Sequence, residues 1–337
     1  MESVCIYGGG NIAHSLAAVI SVTQPVTVVT RRPEAWNSRM AFVQEDKMHW
    51  GLNAVNATSD VSTVRMADIV FVALPQFAID GAIGVLMASL KYGATVVFVP
   101  APAKAAEYAK LLVDRGYRVA GLQRVPFISR INEYGSSVTI SAPRQIHKLV
   151  VSEEGMRLDW SCRCHKWFGG NVEYLSSFLT FAFSNSNPLL HPSRLVVLFE
   201  DWEDKCYKYN PPFYGEWTDK SSDLYIAADM EMLDVMSHYH EIDITTDYES
   251  VLDHYNVKSA SELTLKIRSI PSFQTILSPM REERGKWLPD FQSRYFTEDI
   301  PFGTRPIYDL GRRKGIKAPT IGFLINAMDA ITKSSHN

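Results

Sequence analysis

Apolar residues in the first half of this chain come in short runs separated by longer amphipathic stretches. Runs at 4–7, 26–30, 53–58, 69–74, 95–99 and 118–122 have the length and β-branched content of buried strands. Between them the spacing turns helical, as at 15–21 and at 103–115, where Gly116 ends the pattern. Strand and helix alternating in this way predict a doubly wound, mostly parallel sheet with helices on both faces. Further strand-like runs follow at 126–131, 137–141 and 148–151, and Val172-Glu173-Tyr174 comes after a Gly-Gly-Asn segment. From 176 onward the pattern is mainly helical, with stretches at 223–240, 261–268, 306–314 and 320–333. The expected division is an α/β domain over 1–175 and a mainly α-helical domain over 176–337.

The junction after the first run carries specific chemistry. Val4-Cys5-Ile6-Tyr7 ends in Gly8-Gly9-Gly10-Asn11-Ile12-Ala13, a helix follows, and a second strand-like run ends in Thr30-Arg31-Arg32. This is the strand, Gly-x-Gly-x-x-Ala turn, helix and strand of a dinucleotide-binding βαβ unit, or Rossmann fold. Gly8 lets the strand turn sharply, Gly10 lets backbone approach a pyrophosphate, and Ala13 lets the helix pack close to the strand. A helix beginning at Asn11 and Ile12 points free N–H groups at the phosphates. Leu74 and Pro75, at the end of the fourth strand, fall where such sheets meet their ligand. A carboxylate about twenty residues past the glycines would take a ribose 2′-hydroxyl. Arginines stand there instead, and guanidinium groups favour a 2′-phosphate. The expected cofactor is NADPH (NADP) in preference to NAD. The plain alternative is that Arg31 and Arg32 cap a strand in solvent, with Glu34 near enough to pair with one of them.

Composition narrows the class without choosing a substrate. The chain has 337 residues, 46% of them hydrophobic, and 34 basic against 37 acidic residues, a net charge of −3. That is ample for two packed domains and calls for no nucleic acid or acidic membrane as partner. Met1-Glu2-Ser3 lacks a basic leader, and the apolar stretch 69–90 is broken by Pro75 and Asp80, so a cytoplasmic enzyme with small-molecule substrates is expected. A homodimer is compatible with this. Cys5, Cys162, Cys164 and Cys206 are too few for a disulfide framework, and Cys162-Arg163-Cys164-His165 lacks the second pair of a metal site. Free thiols and no metal are expected.

The second half holds another constellation: Asn185-Ser186-Asn187-Pro188-Leu189-Leu190-His191-Pro192, Arg294-Tyr295-Phe296-Thr297-Glu298-Asp299-Ile300-Pro301-Phe302-Gly303, and Gly315-Ile316-Lys317-Ala318-Pro319-Thr320. Together they offer an imidazole, a carboxylate, a guanidinium and an amide, the inventory of a reaction that needs a proton donor and a carboxylate anchor. With the glycine motif and the middle segment Val125-Pro126-Phe127-Ile128-Ser129-Arg130-Ile131 through Tyr134-Gly135-Ser136-Ser137-Val138, the chain resembles the octopine/nopaline (opine) dehydrogenase family over nearly its whole length. The resemblance implies NAD(P)-dependent reduction of the imine formed between an amino acid and a 2-oxo acid. It implies His191 and Asp299 as the proton-transfer pair, Arg294 as a clamp for a substrate carboxylate and Asn187 as an amide near the substrate. Histidine titrates near neutrality, and a carboxylate behind it fixes its tautomer.

Each of these residues also has an ordinary reading. His191 lies between prolines and could cap a turn, Asp299 could cap the helix or turn that follows, and Arg294 could pair with Glu298 on the surface. The aromatic run from Trp202 to Trp217 serves equally as core or as the wall of a substrate cleft. The chain departs from the family at Pro100-Ala101-Pro102, where a glycine-bearing loop is usual, and at Tyr214-Gly215-Glu216, where Tyr-Glu-Gly is usual. Two alternatives follow. One is a ketopantoate-reductase-like 2-oxo or 2-hydroxy acid dehydrogenase, which would need a catalytic lysine such as Lys205, Lys208 or Lys220. The other is a non-catalytic NADPH-binding sensor or scaffold.

Overall fold

A computed structural model describes residues 2–202 and 207–333. Lys205 and Cys206 therefore lie outside the described residues. The chain divides into two compact units, Met1–Phe181 and Ala182–Asn337. The first unit runs past 175 because Leu175 and Phe181 are buried together with Ala105 and Val150.

Twelve strands lie in the first unit: β1 (Val4–Tyr7), β2 (Val26–Val29), β3 (Ala41–Gln44), β4 (Lys47–Trp50), β5 (Val55–Thr58), β6 (Ile69–Val72), β7 (Thr95–Phe98), β8 (Arg118–Leu122), β9 (Ile128–Glu133), β10 (Ser137–Ser141), β11 (Ile146–Val151) and β12 (Asn171–Tyr174). Eight of them form one sheet in the order β12-β11-β8-β7-β6-β1-β2-β5, parallel throughout except where β11 meets β8. From β5 to β8 this is the strand order of a Rossmann sheet, in which the order reverses beside β1. The helices are α1 (Asn11–Ile20), α2 (Gln76–Ser89), α3 (Ala105–Val113) and α4 (Arg157–Phe168). The strands bury both faces, so Ile6, Val28, Phe71 and Val97 pack in one apolar layer and Val70, Val72, Val96 and Phe98 in the other.

The pattern did not reveal a second sheet, β4-β3-β10-β9. All four residues of β4 are exposed, so no apolar alternation marks it. Its hairpin turn uses Glu45 and Asp46, both at positive φ, without the Asn-Gly pair that signals such turns. This small sheet is tied to α1: the Ser129 hydroxyl donates to the Asn11 carbonyl at 3.2 Å, and the Ile131 amide donates to Asn11 Oδ1 at 2.9 Å.

The second unit contains α5 (Asn187–Leu198), α6 (Asp219–Ser237), α7 (Ile244–Asp247), α8 (Val251–Tyr255), α9 (Ala260–Ser269), α10 (Pro271–Gln274), α11 (Arg294–Thr297), α12 (Arg305–Arg313) and α13 (Pro319–Lys333). The hairpin β13 (Met280–Glu283) and β14 (Lys286–Pro289) interrupts them, turning at Arg284-Gly285 with both residues at positive φ. Thr218 caps α6 by accepting the Ser221 amide, and Ser259 caps α9 by accepting the Glu262 amide. Among the described residues no helix is long and apolar enough to cross a membrane, no group of three or more potential metal ligands occurs, and Cys5, Cys162 and Cys164 are free thiols.

Two buried histidines of the first unit set a pH dependence. His14 is fully buried; its Nε2 accepts the Gly135 amide at 2.8 Å, so Nδ1 carries the proton and donates to the Gly10 carbonyl at 2.9 Å. His147 donates from Nε2 to the Gly169 carbonyl at 2.8 Å, and its buried Nδ1 has no partner among the described residues. Burial holds both below the usual histidine value of 6.5. Between the folded value and 6.5 the unfolded chain binds more protons, so this stability is complete above 6.5 and is lost as pH falls below it. Denaturant melts of the protein should show stability declining just below pH 6.5, with a shallower decline in His14→Gln. An unchanged slope in that variant would remove His14 from the account.

Candidate active site

The carboxyl edge of the large sheet presents the glycine turn. Tyr7 is in register with Val29 on one side and Val72 on the other, so Gly8, Thr30 and Ala73 emerge side by side. The Gly8 amide donates to the Val29 carbonyl and the Ala73 amide to the Tyr7 carbonyl, each at 2.9 Å. Gly8 has φ of +147°, and a Cβ there would lie 2.3 Å from the Ala73 carbonyl oxygen. Only glycine fits. Gly10 differs, because a Cβ there would meet nothing within 4 Å. That open space lies at the start of α1, whose first turn has no acidic residue and no side-chain cap. Its orphan N–H groups suit a pyrophosphate. Ile12 is half-buried, and Ala13 is fully buried against the sheet. The Asn11 side chain is engaged with Ile131. Leu74 is half-buried, and Pro75 precedes α2 without a side-chain cap. At the end of β2, Thr30 is buried while Arg31 and Arg32 are exposed. Among the described residues neither arginine pairs with Glu34; the Arg32 guanidinium lies over the Tyr134 ring, 4.0 Å from its centre. These residues fit a dinucleotide, with no carboxylate at the end of β2 to receive a 2′-hydroxyl.

In the second unit, α5 carries Asn187 and His191 four residues apart, on one helical face. His191 is 6% exposed. Its Nδ1 lies 2.7 Å from Asp299 Oδ2, and its Nε2 lies 2.9 Å from the Tyr214 hydroxyl. A carboxylate only accepts, so Nδ1 carries the proton and Nε2 accepts from Tyr214. The Tyr295 ring lies against the imidazole at 4.2 Å, and Phe213 meets it edge-on at 5.7 Å. Burial, and after it the neighbouring Tyr295, pushes the Tyr214 phenol far above its ordinary range; burial and then Asp299 push Tyr295 up as well. Both phenols stay neutral at physiological pH.

The reach across 108 residues has a local cause. Pro192, inside α5, has no N–H to offer the carbonyl of Pro188. The Thr304 hydroxyl takes that acceptor instead at 2.6 Å and also lies 3.2 Å from the Asp299 carbonyl. Thr304 ends the π-helical turn Ile300–Thr304 that follows Asp299. Gly303 permits the approach: a Cβ there would lie 2.3 Å from Pro188 Cγ. His-Pro and Pro-Phe-Gly are thus two halves of one contact.

Arg294 is placed differently. Its side chain is 82% exposed, and its Nη2 and Nε lie 2.6 and 2.8 Å from Glu298 Oε2. Among the lysines raised for the alternative chemistry, Lys220 pairs with Glu200 at 2.8 Å. In the aromatic run, Phe213, Tyr214 and Trp217 are buried and Tyr209 is exposed. Tyr214 is the site residue that residue-by-residue reading missed; its signal was a position in the family's pattern, noticed there only as a departure. At the Pro100-Ala101-Pro102 loop, the Ala101 amide is engaged by the Leu122 carbonyl at 2.7 Å.

Removing the tie should be visible. Thr304→Val leaves the Pro188 carbonyl buried without its donor, a loss of about 1–3 kcal/mol in denaturant melts, while Thr304→Ser restores most of it. Equal stability in the Val and Ser variants would contradict this role.

The family model described as NAD/NADP octopine/nopaline dehydrogenase, alpha-helical domain, matches residues 174–332. A similar protein is the tauropine dehydrogenase of Arabella iricolor, 25% identical, the alignment covering 96% of this chain and 90% of that protein. Among solved structures, an octopine dehydrogenase with NADH and L-arginine has a TM-score of 0.86 at 21% identity, covering 98% of this chain and 90% of that one. A yersinopine dehydrogenase with NADP+ bound has a TM-score of 0.71 at 13% identity, covering 99% and 91%. Residues 174–332 thus match the alpha-helical domain of octopine/nopaline dehydrogenases, and the chain over nearly its whole length is similar to proteins of that kind.

Proposed function

We propose that the protein is an NADPH-preferring opine dehydrogenase that joins an amino acid to a 2-oxo acid. The bound nicotinamide would supply hydride. The observation that carries this reading is the 2.7 Å bond between His191 Nδ1 and Asp299. It holds Nε2 in the form that accepts a proton. Condensation of an amine with a ketone requires proton movement at the carbonyl oxygen that leaves as water, and a buried imidazole with a fixed tautomer suits that task. Tyr214, neutral throughout, keeps Nε2 satisfied until a substrate takes its place.

A substrate carboxylate needs an anchor. Arg294 would exchange the Glu298 carboxylate for it, and the exchange is cheap because an exposed ion pair contributes only about 0–1 kcal/mol. Asn187, one helical turn before His191, would offer its amide to the same substrate. The preference for NADPH rests on Arg31 and Arg32 at the end of β2 in place of a carboxylate. The relatives leave that choice open, since one solved structure holds NADH and the other NADP+. Solved octopine dehydrogenase structures with L-arginine and with pyruvate support an amino acid and a 2-oxo acid as substrates.

A matrix of amino acids against 2-oxo acids, followed as loss of reduced-nicotinamide absorbance, tests the proposal. Oxidation that requires both substrates is the expected result. Turnover with an oxo acid alone would favour a hydroxy-acid dehydrogenase, and tight cofactor binding without any turnover would favour a sensor. His191→Ala should lower kcat by about 10²–10⁴-fold and leave cofactor affinity unchanged.

A further inference from the structure

We propose that Tyr134, carried by the turn between β9 and β10 of the small sheet, is a specificity residue for the phosphorylated cofactor. It would act by holding Arg32 ready for the 2′-phosphate. This rests on the NADPH reading above.

Three independent contacts bring this side chain to the glycine turn. The Arg32 guanidinium lies over its ring, 4.0 Å from the centre. Its hydroxyl lies 3.5 Å from Thr30 Oγ1, at the end of β2. A Cβ on Gly9 would meet Thr30 Oγ1 at 2.5 Å and the Tyr134 hydroxyl at 2.9 Å. The middle position of a Gly-x-Gly turn ordinarily accepts any residue. In this chain a side chain there would have to displace the Tyr134–Thr30 pair, which occupies the space.

The turn itself is anchored. The Gly135 amide donates to His14 Nε2, and His14 Nδ1 donates to the Gly10 carbonyl, so one buried imidazole links the tyrosine turn to the glycine turn. Gly135 has φ of +73°, and a Cβ there would fall 1.8 Å from the Ala35 carbonyl oxygen, just beyond the arginines. Trp36 packs on His14 at 4.2 Å and completes the aromatic support. A guanidinium on an exposed loop would sample many rotamers, whereas one lying on a fixed ring keeps its N–H edge free and aimed. Pre-ordering lowers the cost of binding an anion with that edge. An unphosphorylated ribose gains nothing from it.

The test compares dissociation constants for NADPH and NADH, read from reduced-nicotinamide fluorescence, in the full-length protein. Wild type should favour NADPH. Tyr134→Leu keeps bulk over Gly9 and loses the π face; it should weaken NADPH about fivefold and leave NADH within about twofold. Tyr134→Phe should bind both as wild type does. Arg32→Lys keeps the charge without the planar fork and should show the same selective loss, which keeps the proposal testable if Tyr134→Leu does not fold. The double variant Arg32→Ala/Tyr134→Leu should lose no more NADPH affinity than Arg32→Ala alone. A wild type that favours NADH overturns the cofactor reading and this inference with it. A wild type that favours NADPH, with Tyr134→Leu weakening both cofactors equally or adding in full to Arg32→Ala, overturns this inference alone. So does wild-type affinity for NADPH in Arg32→Lys.

Discussion

A helix carbonyl deprived of its amide organises the meeting of His191 with Asp299. Pro192 removes the N–H that would close on Pro188, and the free acceptor is taken by Thr304, which lies beyond Asp299 along the chain. A proline inside a helix ordinarily costs stability through such an unpaired carbonyl. Here the loss is offset by a bond of 2.6 Å to a distant segment, and the offset brings an acid to an imidazole. Gly303 is the steric side of the same arrangement, since any side chain would strike Pro188. The geometry of the His191–Asp299 pair is therefore specified by residues outside the pair.

The first unit follows the same logic at its glycine turn. Backbone crowding demands glycine at Gly8, the Thr30 and Tyr134 hydroxyls crowd Gly9, and open space is left at Gly10. Three adjacent glycines thus have three different reasons. The small sheet enters this turn through Asn11 and His14 on α1, so an element peripheral to the Rossmann core reaches the residues that would hold the cofactor. His14 does so as a neutral ring, which makes the attachment sensitive to acid.

Much of this was legible in the chain. Buried parallel strands are continuous apolar runs, and β1, β2, β6, β7 and β8 lie where those runs fall. The long helices α6, α9, α12 and α13 follow from their periodicity. The spatial meeting of His191 with Asp299 came from family resemblance, because no local rule joins residues 108 positions apart. What remained hidden had weak local signals. β4 is exposed at every position, and the two hairpin turns put Glu45, Asp46 and Arg284 at positive φ. Tyr214 could not be found by spacing, since its partner is defined only by the fold. Arg294 matches the family's clamp by position, and its guanidinium lies in an exposed pair with Glu298, which no motif announces.

The central claim concerns one proton, the one held on Nδ1 of His191 by Asp299 while Nε2 accepts from Tyr214. Nitrogen NMR of protein labelled in histidine, with the signal assigned by its loss in His191→Gln, observes that tautomer directly. At neutral pH the account predicts a protonated Nδ1 and an unprotonated Nε2, with the preference weakened in Asp299→Ala. A proton resident on Nε2 in the wild-type protein, or a tautomer indifferent to Asp299, would contradict it.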